Sequence, residues 1–188
     1  ALTVGGLYLL GRSMFGHRTG LFAALLLLGA HLHQHFSRIA LNNVWDGLAY
    51  VLTLGALWVA WTRERRNAYL LAGLALGLSM YFYPSARSLA AVVPAWLAVA
   101  GWLDRPRLKR ALPHLALFAL TAAVTTLPLA YYYLRYPDEF FGPMRAASFI
   151  GPILDATVQQ TGQPAWLVLL IQVWRGLEGF TFLPLQNW

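Results

Sequence analysis

The stretch HLHQHFSRIALNNVWD, residues 31–46, interrupts two strongly apolar runs, and this contrast decides the fold class. It carries three histidines, an arginine, two asparagines and an aspartate between segments that are almost free of charge. Long apolar runs separated by short polar stretches are typical of membrane-spanning helices that are joined at the bilayer surface. We therefore expect residues 31–46 to lie at one face of a membrane, in contact with both water and lipid head groups.

The composition supports a membrane protein and excludes a nucleic-acid-binding surface. The chain has 188 residues, of which 59% are hydrophobic and 11% are charged, with a mean hydropathy of +0.53. In soluble domains about a quarter of the residues are charged. The net charge is +7, but the basic residues cluster in short stretches instead of covering one polar face. The absence of cysteine excludes disulfides and thiolate metal sites.

Six apolar segments predict an all-α, polytopic transmembrane helix bundle of about six spans over residues 1–135. They cover residues 1–11, 20–36, 45–61, 68–83, 88–103 and 113–135. The first would cover only about 16 Å of a hydrocarbon core about 30 Å thick. We therefore expect a truncated first span and an internal piece of a longer protein.

Residues 136–188 are predicted to form a separate region on the outer face of the membrane. A polar loop is expected over residues 136–165, followed by an amphipathic helix over residues 166–180. In this helix Gln172, Arg175 and Glu178 share one stripe, which favours a helix lying in the interface. A seventh span is the alternative.

Charge distribution predicts the orientation of the bundle. Nine of the fourteen Lys and Arg residues lie in the stretches 12–18, 62–67 and 104–110. Cytoplasmic loops of membrane proteins carry an excess of these residues, so we place the three stretches in the cytoplasm. The polar stretches between them then face outward.

Gly73 and Gly77 stand four residues apart in the fourth apolar segment. Small residues at this spacing let two helix backbones approach closely in a membrane. We expect this face to pack against another helix.

Arg38 is the first candidate for binding an anion at the outer face. An arginine at the hydrocarbon edge needs a carboxylate or an anion, because an unpaired buried charge is costly. Arg38 could pair with Asp46, snorkel to head groups, or bind a phosphate through paired hydrogen bonds. Arg87 and Arg145 lie on the same predicted side, and three converging arginines would form an anion site.

The three histidines provide a weaker candidate, a metal site. His31 and His35 would share one face of a helix and could chelate zinc, but His33 points away and no acidic residue or cysteine lies beside them. We expect interfacial histidines that bind water, backbone or phosphate, and no metal site.

Three motifs, in order along the chain, carry a family resemblance. GRSMFGHRTG at residues 11–20, followed after an apolar segment by Ser37, Arg38, Leu41 and Asn42, resembles the second and third membrane segments of bacterial family 39 glycosyltransferases. This group is related to protein O-mannosyltransferases and the lipid A aminoarabinose transferase. YFYPSAR at residues 81–87 resembles the next outer turn. YPDEFFGPMR at residues 136–145 resembles an H-P-x-x-F-x-x-R loop, with tyrosine in place of histidine.

The resemblance implies a GT-C fold in a bacterial plasma membrane, and transfer of a sugar from a polyprenyl-phosphate donor to an acceptor on the outer face. Arg38, Arg87 and Arg145 would contact the donor phosphate, and Asn43 and Asp46 would support an acidic base supplied from upstream of Ala1. No catalytic residue is therefore expected in this chain, and enzymatic activity is expected of the full-length protein.

The implied partners are membrane lipids, the lipid-linked donor and other membrane proteins, with no nucleic acid. No cofactor is expected within these residues, and a divalent cation remains open for the full-length protein. The alternative function is a non-catalytic transmembrane subunit packed in a larger complex.

Overall fold

The computed structural model describes residues 1–38, 44–82, 84–147 and 152–179, and in these ranges it contains helices and no strand. The predicted all-α class is confirmed. The helices are α1 (Leu2–Phe15), α2 (His17–Gly29), α3 (His31–Arg38), α4 (Val44–Arg63), α5 (Arg66–Ser79), a 3₁₀ helix (Pro84–Ser88), α6 (Leu89–Leu103), α7 (Arg105–Arg135), α8 (Pro137–Ala147), α9 (Pro152–Thr161) and α10 (Ala165–Gly179).

Helix α5 lies at the centre of the bundle, between α4 and α7. Its close contact with α7 depends on Gly73 and Gly77. A Cβ atom at Gly73 would lie 2.4 Å from the carbonyl oxygen of Phe118, and one at Gly77 would lie 2.6 Å from the Cβ of Thr125. These glycines therefore let the two backbones touch, which confirms the predicted packing role of the pair.

The hydrophobic core lies among α4, α5, α6 and α7. Leu57, Leu89 and Val93 are almost completely buried there, and the ring of Trp61 meets that of Trp96 edge to face at 5.8 Å between centroids. Large apolar side chains remain exposed outside this core, particularly on α2 and α7. An apolar exterior of this extent suits a bilayer better than water.

The hairpin of α1 and α2 explains the glycines of the motif at residues 11–20. A Cβ atom at Gly20 would lie 2.6 Å from the carbonyl oxygen of Tyr8 and from the amide nitrogen of Arg12. Gly16 has a φ of 94°, a backbone conformation that favours glycine. The motif thus permits a tight turn between two closely packed helices.

The helix directions place the basic stretches together. Gly47 lies against Thr3, and Gly6 lies against Val51, so α1 and α4 run parallel and both end on the same side. On this side Arg110 contacts Glu64 at 3.1 Å and joins the start of α7 to the end of α4. We call this the basic end. The opposite end, which contains the 3₁₀ helix, the start of α4 and the end of α7, is called the Arg87 end.

Two of the described helical segments are long and apolar enough to cross a membrane, Pro84–Leu103 and Arg105–Arg135. Helix α1 has 14 residues, which span about 21 Å. The predicted second span over residues 20–36 is not one helix, because extended backbone at Ala30 (φ −69°, ψ 115°) separates α2 from α3. The structure therefore supports two spans, and the six-span count remains a prediction.

Two regions that were predicted as loops are helical. Residues 105–110 form the first turns of α7, where the side chain of Asp104 accepts a hydrogen bond from the backbone N–H of Arg107 at 3.0 Å. The region 136–165 contains α8 and α9 instead of a continuous loop. The predicted helix at residues 166–180 corresponds to α10, which packs against α9.

Candidate functional site

The 3₁₀ helix Pro84–Ser88 is attached to the first two turns of α4. Asp46 accepts a hydrogen bond from the Ser85 hydroxyl, and the Tyr50 hydroxyl is hydrogen-bonded to that of Ser88. Residues 46 and 50 lie one turn apart on α4, and residues 85 and 88 lie one turn apart on the 3₁₀ helix. Because each pair of residues is spaced by one helical turn, the 3₁₀ helix is attached to α4 at two points.

Arg87 extends from the same 3₁₀ helix toward α7 and α8. Its Nη1 donates to the Phe140 carbonyl oxygen at 2.7 Å, and its Nη2 donates to the Tyr133 hydroxyl oxygen at 3.0 Å. The guanidinium carbon lies 4.3 Å from the centroid of the Phe140 ring and 5.2 Å from that of the Tyr133 ring. These contacts bind the cation through neutral oxygen atoms and aromatic faces.

No ion pair between Arg87 and a carboxylate is present in the described part of the chain. The two hydrogen bonds use two of the five N–H donors of a guanidinium. A planar guanidinium that has donors to spare, and no paired carboxylate in the part of the chain that the structure describes, can bind a phosphate through paired hydrogen bonds.

An open cavity of about 460 Å³ lies beside Arg87, between α7 and α8. Its lining is almost entirely apolar or aromatic and includes Met80, Leu129, Tyr133, Leu134, Pro137 and Phe141. Arg87 is the one charged residue among the described lining residues. A cavity with an apolar wall and a single cation suits an amphipathic ligand with an anionic head and a hydrocarbon chain.

Asp46 is 9% exposed, and only one of its two carboxylate oxygens has a hydrogen-bond partner among the described residues. One oxygen accepts from Ser85, while Oδ1 is buried with no hydrogen-bond partner among the described residues. Among the described residues, no ion pair or hydrogen bond joins Asp46 to Arg38. Asp46 binds a neutral hydroxyl instead.

The described residues include only part of the predicted anion site. Arg87 contacts α8, the helix that contains Arg145, but the Arg145 side chain and all of Asn43 lie outside the described residues. Arg38 is exposed at the last residue of α3, and no ion pair links it to the described carboxylates. Convergence of the three arginines therefore stays a prediction.

Among the contributors to the site that sequence reasoning missed are the three residues that contact Asp46 or Arg87, which are Ser85, Tyr133 and Phe140. Tyr133 belongs to the run Tyr131–Tyr133, a pattern that equally indicates residues of the aromatic belt at a membrane surface. Ser85 and Phe140 have no distinctive local signature. All three residues act through partners that are distant in sequence.

The described residues provide no site for the divalent cation left open above. His31 and His35 stack with ring centroids 6.1 Å apart, so they do share a helix face. Within the described ranges, however, no group of three or more His, Cys, Asp or Glu is arranged to hold a metal ion.

Comparison with known protein families identifies a match over most of the chain. Residues 1–132 match the family described as dolichyl-phosphate-mannose-protein mannosyltransferase. No curated protein and no solved structure gives a significant match to the chain. The matched region includes α1 to α6, the 3₁₀ helix and most of α7.

Proposed function

We propose, because this chain belongs to the dolichyl-phosphate-mannose-protein mannosyltransferase family, that it is part of a multi-pass glycosyltransferase of the bacterial plasma membrane. The enzyme transfers a sugar from a polyprenyl-phosphate donor to an acceptor on the extracytoplasmic face. The match covers residues 1–132 and so includes Arg87.

The observation that carries this proposal is the position of Arg87 beside an apolar cavity. The cavity of about 460 Å³ would take part of the isoprenoid chain, and the guanidinium would take the phosphate. Both features are needed for a lipid-linked sugar, because its two ends differ completely in polarity. Neither feature alone would favour such a donor.

Arg87 also suits the chemistry of the leaving group. The acceptor hydroxyl oxygen bonds to the anomeric carbon, the bond from that carbon to the phosphate oxygen breaks, and polyprenyl phosphate leaves with one additional negative charge. The hydroxyl proton passes to a carboxylate that acts as general base. A guanidinium beside the phosphate stabilises the charge that develops as the bond breaks.

The other predicted residues have supporting roles in this proposal. Arg145 adds a second cation from α8, and Arg38 adds a third from the end of α3. Asn43 supports the acceptor side. Asp46 contributes through its contact with the 3₁₀ helix.

The experiment is a transfer assay on the purified full-length protein with a radiolabelled polyprenyl-phosphate sugar. Arg87→Ala should reduce kcat/KM for the donor about 100-fold, equivalent to about 2.7 kcal/mol, and Arg87→Lys should retain part of the activity. Arg110→Ala is the matched control, since Arg110 is an exposed arginine at the basic end. It should leave kcat/KM within twofold.

Two results would contradict the proposal. Full activity in a folded Arg87→Ala protein would remove Arg87 from the donor site. No transfer by the wild-type protein from any polyprenyl-phosphate sugar would favour the non-catalytic subunit.

A further inference from the structure

We propose that Asp46 and Tyr50 are positioning residues that hold the 3₁₀ helix so that Arg87 faces the donor cavity. This inference rests on the proposed function, because the cavity matters only if it binds the donor. It gives Asp46 a different role from direct support of the catalytic base.

The geometry of the 3₁₀ helix carries the inference. Three residues complete one turn of such a helix, so Ser85 and Ser88 lie on the same side and Arg87 lies on another. Both serines bind α4, through Asp46 and Tyr50. The Ser88 hydroxyl also donates to the Ser85 carbonyl oxygen, which closes the turn internally.

A stacking contact extends the attachment. The rings of Trp45 and Phe82 are nearly parallel, with centroids 5.4 Å apart, and join the start of α4 to the chain just before the 3₁₀ helix. Beyond the helix, Leu89 is fully buried in the core. The segment is therefore fixed on its α4 side and at both of its ends.

Arg87 extends from another side of the 3₁₀ helix, which does not contact α4 through the two serines. Its guanidinium reaches across to Phe140 and Tyr133, which belong to the walls of the cavity. If the α4 attachment is lost, the 3₁₀ helix can rotate or shift, and Arg87 then moves relative to both the cavity and α8.

The burial of Asp46 distinguishes positioning from proton transfer. At 9% exposure, with Oδ1 buried and the other oxygen bonded to Ser85, the Asp46 carboxylate offers little surface to an acceptor hydroxyl. An asparagine retains a carbonyl oxygen of the same shape to accept from Ser85. Positioning therefore requires the acceptor oxygen and does not require the charge.

The experiment measures donor kcat/KM and the affinity for polyprenyl phosphate in the full-length protein. Asp46→Ala should reduce both about tenfold, Asp46→Asn should leave both within threefold, and Tyr50→Phe should reduce both about threefold. In an Arg87→Ala background, Asp46→Ala should cause no further loss, because its effect passes through Arg87.

Thr53→Ala is the matched control. Thr53 is a fully buried polar residue on α4, one turn beyond Tyr50, and its hydroxyl has no hydrogen-bond partner among the described residues. Thr53→Ala should leave donor kcat/KM and the affinity for polyprenyl phosphate unchanged, both in the otherwise wild-type protein and in Arg87→Ala. Ser85→Ala removes the same hydrogen bond as Asp46→Ala from its other side, and it serves if Asp46→Ala does not fold.

Three results would overturn the positioning role of Asp46 and leave the proposed function standing. In the first, Asp46→Asn loses as much activity as Asp46→Ala, which indicates that the charge itself is required. In the second, Asp46→Ala causes the same tenfold loss in the Arg87→Ala background, which indicates an independent effect. In the third, Ser85→Ala has no effect. Unchanged affinity in Arg87→Ala would instead remove the proposed function, and this inference with it.

Discussion

Arginines at the two ends of the bundle are held in place in opposite ways. At the basic end, opposite charges meet: Glu64 accepts from Arg110 at 3.1 Å, and Arg107 lies 3.5 Å from Asp104. At the Arg87 end, Arg87 binds a carbonyl oxygen, a hydroxyl and two aromatic rings, and Asp46 binds a serine hydroxyl.

This difference affects how readily each of these arginines can bind an anionic ligand. An arginine paired with a carboxylate is already neutralised, and an exposed pair contributes only about 0–1 kcal/mol to stability. An arginine oriented by neutral partners retains its charge while its rotamer is restricted. Such a cation can bind a phosphate without first breaking a salt bridge.

The largest expected effect concerns the close contact between α5 and α7 at Gly73. Gly73→Ala places a methyl group against the Phe118 carbonyl oxygen, with 2.4 Å between the atoms before any adjustment. Helices α5 and α7 must then separate, at a cost of about 1–3 kcal/mol. Thermal unfolding in detergent should show a lower Tm for Gly73→Ala.

Gly55→Ala is the control for this prediction. Nothing lies within 4 Å of a Cβ atom at Gly55, and alanine favours the helix by up to about 1 kcal/mol. Its Tm should be unchanged or higher. Equal Tm values for wild type and Gly73→Ala would show that the helices do not depend on this close approach.

An intermediate effect is expected at the aromatic face over Arg87. Phe140→Leu removes the nearer of two rings but keeps the backbone carbonyl that accepts from Nη1. Loss of a partly desolvated cation–π contact costs about 1 kcal/mol. Donor kcat/KM should therefore fall about fivefold.

Phe141→Leu is the comparison for Phe140→Leu, because Phe141 also lines the cavity, whereas the rings over the Arg87 guanidinium are those of Phe140 and Tyr133. It should reduce kcat/KM less than Phe140→Leu. An equal loss in both variants would indicate that cavity shape matters and that the cation–π contact does not.

The smallest effect is expected at the basic end. Glu64→Gln removes the carboxylate that joins α4 to α7, yet Glu64 is 48% exposed and its ion pairs are screened by solvent. The free energy of unfolding should change by less than about 1 kcal/mol, and donor kcat/KM should not change. A large loss of transfer activity would show that the basic end contributes to the reaction.

Much of the fold follows from the sequence, because helices in apolar segments form through local hydrogen bonds. The helical class, the contact at Gly73 and Gly77 and the position of the basic stretches at one end are all readable from residue type and spacing. The break at Ala30 is not, since no proline or charge marks it. Helix α8 has a signal that was overlooked: Pro137 at its start and acidic residues at 138 and 139 in its first turn.

The site is less predictable, because its contacts join residues far apart in the chain. The motif at residues 81–87 identifies Arg87 as a candidate, but nothing local reveals that Ser85 would bind Asp46 or that Phe140 would cover the guanidinium. The prediction that three cations lie on one side also does not determine the distances between them. Tertiary packing decides these distances and the contacts of Ser85 and Phe140.

The central claim is that the Arg87 cavity binds the lipid phosphate donor, and photocrosslinking tests it most directly. The full-length protein is irradiated with a polyprenyl phosphate that carries a benzophenone near the phosphate, and labelled peptides are identified by mass spectrometry. The account predicts labelling of the cavity walls on α7 and α8, around Leu129 and Phe141, with strong reduction in Arg87→Ala. Labelling confined to α1 and α2 and unaffected by Arg87→Ala would contradict it.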